Sequence, residues 1–540
     1  AAMAAVAMAG LLGGGGASAA PCRGSTCTPN FLFILADDWG WGDLAADSTA
    51  AVSGGAVPAG AGPPHTPNLN KLARSGTLFM DFHVANPVCS PSRAGFMTGR
   101  DPARFRIHTA LNSDPAANAA EGQANFLPPN ATTLTAVMQN HGWATGHFGK
   151  WHLGGTPDAP MPSAYGIDES CTFNSNDNCR ADGGTYNSST NIVDSAIDFV
   201  VRHADGPFYL NVWLHVSHDL LNPSQAQKDA CVALTSRCAC RSLSDNQTSC
   251  AHQLFWAAQY DADAQIGRLL DTLAEQNLHE QTLVMFSTDN GPEDEQVYIS
   301  AVGSTGPFRG RKRSLYEGGI RVPFIVSWGG GTPFPTVAAN TVDNTVLGSV
   351  DWFPTVLAVA NISLPSELGP LDGIDMSAAI VRTNPGGNSS MNATTVVRPP
   401  HFRSKPLMWE WRFAVAGECN NAAPQLAIRD GRFKLLRDIA PSGRTELYDL
   451  SFWNTTQPDF HESFNLAALP GNPYASEVER LSAALMQWHQ TLPPGHYLEA
   501  GNCAAWPYRG SAVDTSGASL SAASAAFAAS RRWEDSEPDQ

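Results

Sequence analysis

Positive charge is scarce in this chain. Lysine and arginine together number 33 against 50 aspartates and glutamates, which gives a formal net charge of −17 over 540 residues. Proteins that bind nucleic acid present a basic face to it, so the deficit argues against a nucleic-acid partner. It also argues against broad attraction to anionic polysaccharides. Any anionic ligand must therefore be bound by a local cluster of cationic side chains.

Long apolar runs are lacking after the first residues, and no internal repeat is evident. No stretch beyond residue 20 is long and apolar enough for a membrane span. The start, Met3–Leu12, is apolar, and Ala17–Ala20 offers small residues for cleavage. A basic segment before the apolar run is missing, but the pattern predicts a signal peptide over residues 1–20 and entry into the secretory pathway.

Two apolar segments, Asn30–Ala36 and Gln281–Thr288, are typical of strands covered on both faces, and each runs into a pair of oxygen-bearing side chains. Adjacent buried carboxylates repel each other, and a hard divalent cation such as calcium removes that conflict. Taken alone, the first pair is more typical of an acidic loop in water, and the second pair is more typical of an ordinary Asx turn. The candidate metal ligands are Asp37, Asp38, Asp289 and Asn290.

Two further strand-like segments end in cationic or titratable groups. Ala144–Gly149 is followed by Lys150 and His152, and Pro207–Ser217 is followed by His218. Ligands of open α/β sheets bind outside the carboxyl ends of the strands, so four strands of this kind would converge on one site. A lone histidine is more often an ordinary core or surface residue. The histidines interpreted in that way are His147 and His215.

Two other segments combine glycine with reactive or cationic side chains. Residues 89–100 read Cys-Ser-Pro-Ser-Arg-Ala-Gly-Phe-Met-Thr-Gly-Arg, and residues 307–323 read Pro-Phe-Arg-Gly-Arg-Lys-Arg-Ser-Leu-Tyr-Glu-Gly-Gly-Ile-Arg-Val-Pro. A cysteine beside proline is also typical of a buried turn or of half a disulfide. A run of charge is usually a solvated face, so Arg309, Arg311 and Arg313 are expected in solvent.

These motifs together resemble the type I sulfatases over roughly residues 29–465. The family signature is Cys-x-Pro-Ser-Arg followed by Thr-Gly-Arg, and its spacing of Gly-x-Lys, four residues, then Glu-Gly-Gly selects Lys312. The resemblance implies hydrolysis of sulfate esters with one bound calcium ion. It also implies that a formylglycine-generating enzyme converts Cys89 to formylglycine in the secretory pathway. The hydrated aldehyde then attacks the ester sulfur with one hydroxyl.

The resemblance also implies roles for the other residues. Arg93 fixes the aldehyde hydrate and the metal region, and Lys150 and Lys312 hold the sulfate oxygens. His218 protonates the leaving alcohol, and His152 helps to remove the proton from the second hydroxyl. The protein ligands of the metal are those named above: Asp37, Asp38, Asp289 and Asn290. Family members also use a serine beyond the Lys-x-His motif, for which Ser175 is a candidate.

The resemblance implies an α/β fold like that of alkaline phosphatase. A large mixed, mostly parallel sheet flanked by helices forms the catalytic domain, residues 29–395. A smaller C-terminal α+β domain covers residues 396–508, and a low-complexity tail covers 509–540.

Within the C-terminal part, two segments read as strands around turns, Gln425–Leu436 and Arg444–Leu450. Ser476–Gln490 reads as a helix, with Ser476 and Glu479 spaced as a capping box.

The cysteines are consistent with export. If Cys89 is converted, ten of the 11 remain, an even number suited to disulfides. A zinc site within residues 231–250 is the alternative, but no matching histidine pattern supports it. Candidate bridges join Cys171 to Cys179, Cys419 to Cys503, and members of the cluster Cys231, Cys238, Cys240 and Cys250. Glycosylation sequons occur at Asn130, Asn187, Asn246, Asn361, Asn388, Asn392 and Asn454.

The sequence predicts a secreted or lysosomal sulfatase that acts on a sulfated small molecule or a sulfated carbohydrate. A phosphonate monoester or phosphodiester hydrolase of the same superfamily is one alternative. A non-catalytic, secreted glycan-binding glycoprotein with an unmodified Cys89 is the other.

Overall fold

The computed structural model describes residues 28–44, 66–177, 188–218, 221–234, 247–294, 302–330, 334–365, 368–381, 396–398, 403–413, 421–440, 443–451, 459 and 461–494. The predicted signal peptide and the low-complexity tail lie outside these residues. Among the described residues, no helix is both long and apolar enough to cross a bilayer.

Ten of the described strands form one large sheet, and four form a small one. The strands of the large sheet are β1 (Asn30–Ala36), β2 (Thr77–His83), β3 (Ala144–Lys150), β4 (Glu169–Phe173), β5 (Phe208–Trp213), β6 (Thr282–Thr288), β7 (Arg321–Ser327), β8 (Thr341–Asp343), β9 (Leu347–Gly348) and β10 (Val396–Arg398). Their order is β10-β8-β2-β7-β6-β1-β5-β3-β4, with β9 paired to β2. β7 is antiparallel to both of its neighbours, whereas the other pairs in the sheet are parallel.

Helices cover both faces of the large sheet. They are α1 (Pro67–Ser75), α2 (Cys89–Thr98), α3 (Pro115–Ala120), α4 (Leu134–Asn140), α5 (Ser189–Arg202), α6 (Gln225–Leu234), α7 (Gln247–Glu275), α8 (Glu317–Ile320), α9 (Trp352–Val359) and α10 (Ser377–Ile380). The apolar run of β1 follows from this layering, because successive side chains of a strand point to opposite faces. Phe31 and Phe33 lie in the core on one face. Leu32 and Ile34 lie in the core on the other.

The small sheet is antiparallel and carries the final helix. Its strands are β11 (Leu407–Glu410), β12 (Leu426–Asp430), β13 (Phe433–Arg437) and β14 (Thr445–Asp449), in that order, and the helix is α11 (Ala475–His489). Leu481 and Leu485 of α11 are fully buried against this sheet. Each such side chain contributes about 1.5–3 kcal/mol through burial. The predicted α/β class with a small α+β unit agrees with this architecture.

Two details of the C-terminal part differ from expectation or add to it. The predicted capping box is wrong, because Tyr474 is the N-cap and Ser476 is already inside the helix. β10 follows the predicted domain boundary at residue 395, yet it pairs with β8 of the large sheet. The boundary itself stays a prediction, since residues 382–395 and 399–402 lie outside the described part.

Four parallel strands of the large sheet lie side by side in the order β6-β1-β5-β3. Their registers align Ala36 with Thr288, and Trp213 with both Leu35 and Gly149. Their carboxyl ends therefore lie at one edge, as the sequence predicted. β5 ends at Trp213, earlier than the predicted Ser217, and the four residues that follow form the edge of the candidate site.

Candidate active site

A cysteine, three carboxylates and three cationic side chains form one buried cluster. They come from the ends of β1, β3 and β6, from helix α2 and from the loop before α8. Terminal oxygen and sulfur atoms of Asp37, Asp38, Asp289 and Cys89 lie within 4.8 Å of one another. The seven residues, all less than about a tenth exposed, are Asp37, Asp38, Cys89, Arg93, Lys150, Asp289 and Lys312.

Cys89 is the first residue of helix α2, which places it beside the strand ends. Val88 is the extended N-cap residue, and its carbonyl oxygen accepts a hydrogen bond from the backbone N–H of Ser92 at 3.1 Å. The thiol Sγ lies 3.5 Å from Oδ1 of Asp37 and 3.6 Å from Nζ of Lys150. Burial, with Asp289 nearby, raises the pKa of Cys89 well above its usual value. The thiol is therefore protonated and a poor nucleophile.

Each carboxylate in the cluster has a cationic partner. Nζ of Lys150 donates to Oδ2 of Asp37 at 2.6 Å, and Nζ of Lys312 donates to Oδ2 of Asp38 at 2.7 Å. The Arg93 guanidinium donates to Oδ2 of Asp289 at 3.0 and 2.6 Å.

Arg93 also ties three chain segments together. It projects from α2, contacts Asp289 after β6, and donates to the backbone carbonyl of Lys150 at 2.8 Å. Its guanidinium lies 5.2 Å from the centre of the Trp213 ring, within cation–π range. A fully buried arginine with these partners fixes the cysteine helix relative to strands β3 and β6.

The three cations do not fully satisfy the carboxylates. Burial raises the pKa of Asp38, with Lys312 acting in the opposite direction. Burial and the nearby Asp37 raise the pKa of Asp289 to about 7. Burial also opposes ionisation of Asp37, but the cationic groups around it, Lys150 foremost, hold its pKa well below the usual range. For two of the three carboxyl groups the cationic partner therefore does not offset the cost of burying the charge.

A hard divalent cation fits this donor set. Asn290 donates through Nδ2 to Oδ1 of Asp38 at 2.6 Å, while its buried Oδ1 has no hydrogen-bond partner among the described residues. An orphaned buried amide oxygen beside three clustered carboxylates is the environment that calcium ligation satisfies. Asp37, Asp38, Asp289 and Asn290 are thus able to hold the ion.

His152 lies at the edge of the cluster with a positive φ of 55°. Its Nε2 is 3.1 Å from the carbonyl oxygen of Leu111, and its buried Nδ1 has no partner among the described residues. A carbonyl only accepts, so this contact assigns the proton to Nε2 and leaves Nδ1 with a free lone pair. Burial and then Lys150 hold the pKa of His152 well below its usual value, which keeps the ring neutral.

His218 and His215 form a second edge of the cluster. Their rings stack with centroids 5.1 Å apart, and Nδ1 of His215 lies 3.4 Å from Oδ2 of Asp37. Burial, followed by Lys150 and Lys312, holds the pKa of His218 well below its usual value. The interpretation of His215 as an ordinary histidine is wrong, because its ring lies between Asp37 and His218. His147, in contrast, is a core residue between Trp151 and Trp213.

The expectation that the arginines around Lys312 lie in solvent is wrong for Arg313, whereas Arg309 and Arg311 are partly exposed. Arg309 covers the Tyr316 ring at 3.8 Å, and Arg311 donates to the carbonyl of Glu293 at 3.0 Å. Arg313 is buried and bonds the Glu293 carboxylate. Lys312 is the member of this run that reaches the cluster.

Ser175 bonds within its own loop. Its hydroxyl lies 2.7 Å from that of Thr172 and accepts the backbone N–H of Asp177 at 3.1 Å. Its neighbour Asn174 accepts the backbone N–H of His152 at 3.2 Å, so Ser175 lies next to the site. Its role stays a prediction.

Sequence reasoning missed Glu293 and Arg313. Glu293 follows the Asp-Asn-Gly-Pro turn by one residue, and close backbone packing brings it to the Lys312 loop. A Cβ atom on Gly291 would lie 1.9 Å from the carbonyl oxygen of Gly318, so only glycine permits this approach. A carboxylate directly after the candidate metal-binding turn was the signal that the sequence offered.

Comparisons with known proteins point to one family. Residues 29–362 match the family model described as Sulfatase. The chain is 30% identical to N-acetylgalactosamine-6-sulfatase of Sus scrofa, with 87% of this chain and 91% of that protein covered. It is 31% identical to arylsulfatase G of Homo sapiens, with 66% and 70% covered.

Solved structures share the fold. One in complex with its substrate, D-glucosamine-2-N,6-O-disulfate, aligns with a TM-score of 0.57 at 18% identity, covering 86% of this chain and 98% of that one. The phosphonate monoester hydrolase from Silicibacter pomeroyi aligns with a TM-score of 0.55 at 17% identity, covering 87% and 97%. The fold is also that of a phosphonate monoester hydrolase, so the fold alone does not identify the reaction. The family model and the sequence relatives identify the chain as a sulfatase.

Proposed function

Because this chain belongs to the sulfatase family and is a sulfuric ester hydrolase, we propose that it cleaves sulfate monoesters with a formylglycine nucleophile made from Cys89 and one calcium ion. The supporting observation is the position of Cys89, buried between Asp37 and Lys150 at the start of a helix. The raised pKa of its thiol makes an unmodified Cys89 unsuited to attack.

The modified residue and the ion supply what the other side chains lack. Formylglycine would supply a hydrated aldehyde, whose hydroxyl is a nucleophile for sulfur, and calcium would supply positive charge that stabilises the sulfate group. Asp37, Asp38, Asp289 and Asn290 would hold the ion. Arg93, which belongs to the cysteine helix, holds this helix against Asp289 and strand β3 through its bonds to the Asp289 carboxylate and the Lys150 carbonyl.

Lys150 and Lys312 bind the non-bridging sulfate oxygens. Both ammonium groups lie within hydrogen-bond reach of carboxylates that would ligate the metal, and a dication bound there would free them to bind an anion. Preorganised cations of this kind stabilise the charge that shifts onto the nucleophile and the leaving oxygen. These cations form a local positive cluster, as expected for an anion site in a chain whose formal net charge is −17.

The two histidines divide the proton transfers. His152 presents the free lone pair of Nδ1, since the Leu111 carbonyl holds the proton on Nε2, and this lone pair accepts a proton from a hydroxyl on residue 89. His218 lies under the electrostatic influence of both lysines and protonates the leaving alcohol. The stacked His215 restricts the orientation of the His218 ring.

The substrate we propose is a sulfated carbohydrate or a related sulfated small molecule. Support comes from relatives named for N-acetylgalactosamine-6-sulfate and from a structural neighbour that holds a sulfated glucosamine. A phosphonate or phosphodiester substrate is the second candidate, favoured by the fold shared with a phosphonate monoester hydrolase.

We also propose biosynthesis in the secretory pathway, where a formylglycine-generating enzyme acts on Cys89, followed by secretion or delivery to lysosomes. Cys171 and Cys231 are disulfide-bonded, as in proteins that fold in an oxidising compartment. The sequons at Asn130 and Asn361 are exposed to solvent and therefore accessible to glycosylation.

Activity on matched ester pairs tests this function. The purified enzyme is assayed with aryl sulfate, aryl phosphonate monoester and phosphodiester substrates that share one leaving group. A higher kcat/KM for the sulfate is expected. A higher kcat/KM for the phosphonate or the diester would assign the second function, and no turnover of any ester would support a binding protein.

A further inference from the structure

A buried ion pair lies directly behind the sulfate-binding lysine. Nη1 of Arg313 donates to Oε2 of Glu293 at 2.6 Å, and Nζ of Lys312 lies 3.6 Å from the same carboxylate. Glu293 is 4% exposed and Arg313 is 9% exposed. Glu293 therefore contacts two neighbouring cations. Lys312 reaches the carboxylate cluster of the site, and Arg313 pairs with Glu293 behind it.

The backbone of the same two residues joins three segments of the site. The N–H of Lys312 donates to the carbonyl of Pro292 at 3.0 Å, and the N–H of Arg313 donates to the carbonyl of Pro87 at 2.9 Å. Pro87 lies two residues before Cys89, and Pro292 lies two residues after Asn290. The lysine loop is thus bonded both to the nucleophile segment and to the metal-binding turn.

Arg313 adopts a conformation that needs support. Its φ is 70°, in the left-handed region that a residue with a Cβ seldom occupies because the conformation is strained. Its guanidinium bond to Glu293 and its backbone bond to Pro87 stabilise this conformation. Lys312 and Arg313 are adjacent in the chain. The backbone conformation of Arg313 therefore helps to fix the backbone of Lys312, from which the lysine side chain extends toward the site.

We propose that Glu293 and Arg313 are positioning residues, which act through Lys312 to hold its ammonium group at the sulfate subsite. This inference rests on the proposed function, in which Lys312 binds a sulfate oxygen. A long lysine side chain has several rotatable bonds, and a displacement near 1 Å at a catalytic group costs up to about 10²-fold in rate. The Glu293 carboxylate restricts that freedom from behind, while Asp38 restricts it from the metal side.

The test is a double-mutant cycle against Lys312. Glu293→Gln and Arg313→Met are each made in the wild-type chain and in Lys312→Ala, and kcat, KM and inhibition by inorganic phosphate are measured. In the wild-type chain each change is expected to lower kcat/KM and raise the phosphate Ki by roughly 10-fold, less than the roughly 10²-fold expected for loss of Lys312 itself. In the Lys312→Ala chain the same changes are expected to have little further effect.

A matched control separates positioning from stability. Arg403→Gln breaks another buried ion pair, with Asp351, whose carboxylate accepts backbone N–H groups of Gly348 and Ile374. It is expected to lower Tm without changing the phosphate Ki. Should Arg313→Met fail to fold, the nearly isosteric Glu293→Gln carries the test.

The outcomes distinguish the two proposals. Equal losses from Glu293→Gln in the presence and absence of Lys312, or no loss in either, would overturn the positioning role. Normal activity and normal phosphate inhibition in Lys312→Ala would instead overturn the sulfate-binding role of Lys312, on which the positioning role depends.

Discussion

The ammonium nitrogen of Lys312 lies 2.7 Å from Oδ2 of Asp38, across a sequence separation of 274 residues. This contact joins the loop before α8 to the end of β1, and it places a proposed sulfate ligand against a proposed metal ligand. The pKa of Lys312 is held well above its usual value, since burial is outweighed by Asp38 and other anionic groups. These anionic neighbours therefore favour the charged form of the lysine.

Lys312→Ala should weaken catalysis and anion binding together. Removal of one preorganised donor is expected to lower kcat/KM by roughly 10²-fold or more and to weaken competitive inhibition by phosphate or sulfate. Steady-state kinetics with and without phosphate measure both effects. Arg309→Gln is the control, because Arg309 contacts Tyr316 and the carbonyl of Glu462 rather than the cluster.

Asp38→Ala should lower metal content and thermal stability together, because Asp38 is a proposed ligand and adjacent carboxylates need the cation. Calcium content by elemental analysis and Tm by calorimetry check this. Asp81→Asn is a matched control. Asp81 lies in a second buried cluster with His83 and Glu317, where arginines already pair with its carboxylate. Unchanged calcium in Asp38→Ala would remove Asp38 from the metal site.

The pH profile should show an alkaline limb set by His218. An acid must be protonated to donate, and the pKa of this ring is held well below 6.5 by burial, Lys150 and Lys312. Its protonated fraction therefore grows as pH falls, and kcat/KM should decline as pH rises through a value below about 6.5. His218→Gln should abolish this limb in kcat/KM profiles, and an unchanged limb would assign it to another group.

His218→Gln should also depend on the leaving group. Loss of a general acid is expected to slow alkyl sulfates, with poor leaving groups, by about 10²–10⁴-fold, while aryl sulfates with acidic phenols lose far less. A series of sulfates graded by the pKa of the alcohol measures this. An equal loss across the series would mean that His218 binds substrate and donates no proton.

Much of the site could be predicted because its chemistry is local in sequence. In the sequence, the strand ends appear as apolar runs followed by a charged residue, namely Asp37, Asp289 or Lys150. Parallel strands bring such ends to one edge of the sheet. His215 was missed because its position relative to the site depends on where β5 ends. Strand β5 ends at Trp213, so the residues after it turn toward Asp37.

The Glu293–Arg313 pair was missed for a different reason. A run of arginines predicts a solvated face by composition alone, and burial of Arg313 depends on a carboxylate from a turn 20 residues earlier. The capping box at Ser476 failed similarly, since the helix begins one residue earlier, after Tyr474. Residue spacing alone encodes neither the tertiary contact that buries Arg313 nor the residue at which the chain enters the helix.

Mass analysis of the tryptic peptide Ser75–Arg93 from active enzyme is the most direct measurement. The place of Cys89 between Asp37 and Lys150 in the charged cluster leads to the expectation of a lighter peptide, in which CHO replaces CH₂SH at position 89, with an occupancy that scales with specific activity. Cys89→Ala should fold, retain calcium and lack turnover. Fully active protein whose peptide carries only unmodified cysteine would contradict the formylglycine mechanism.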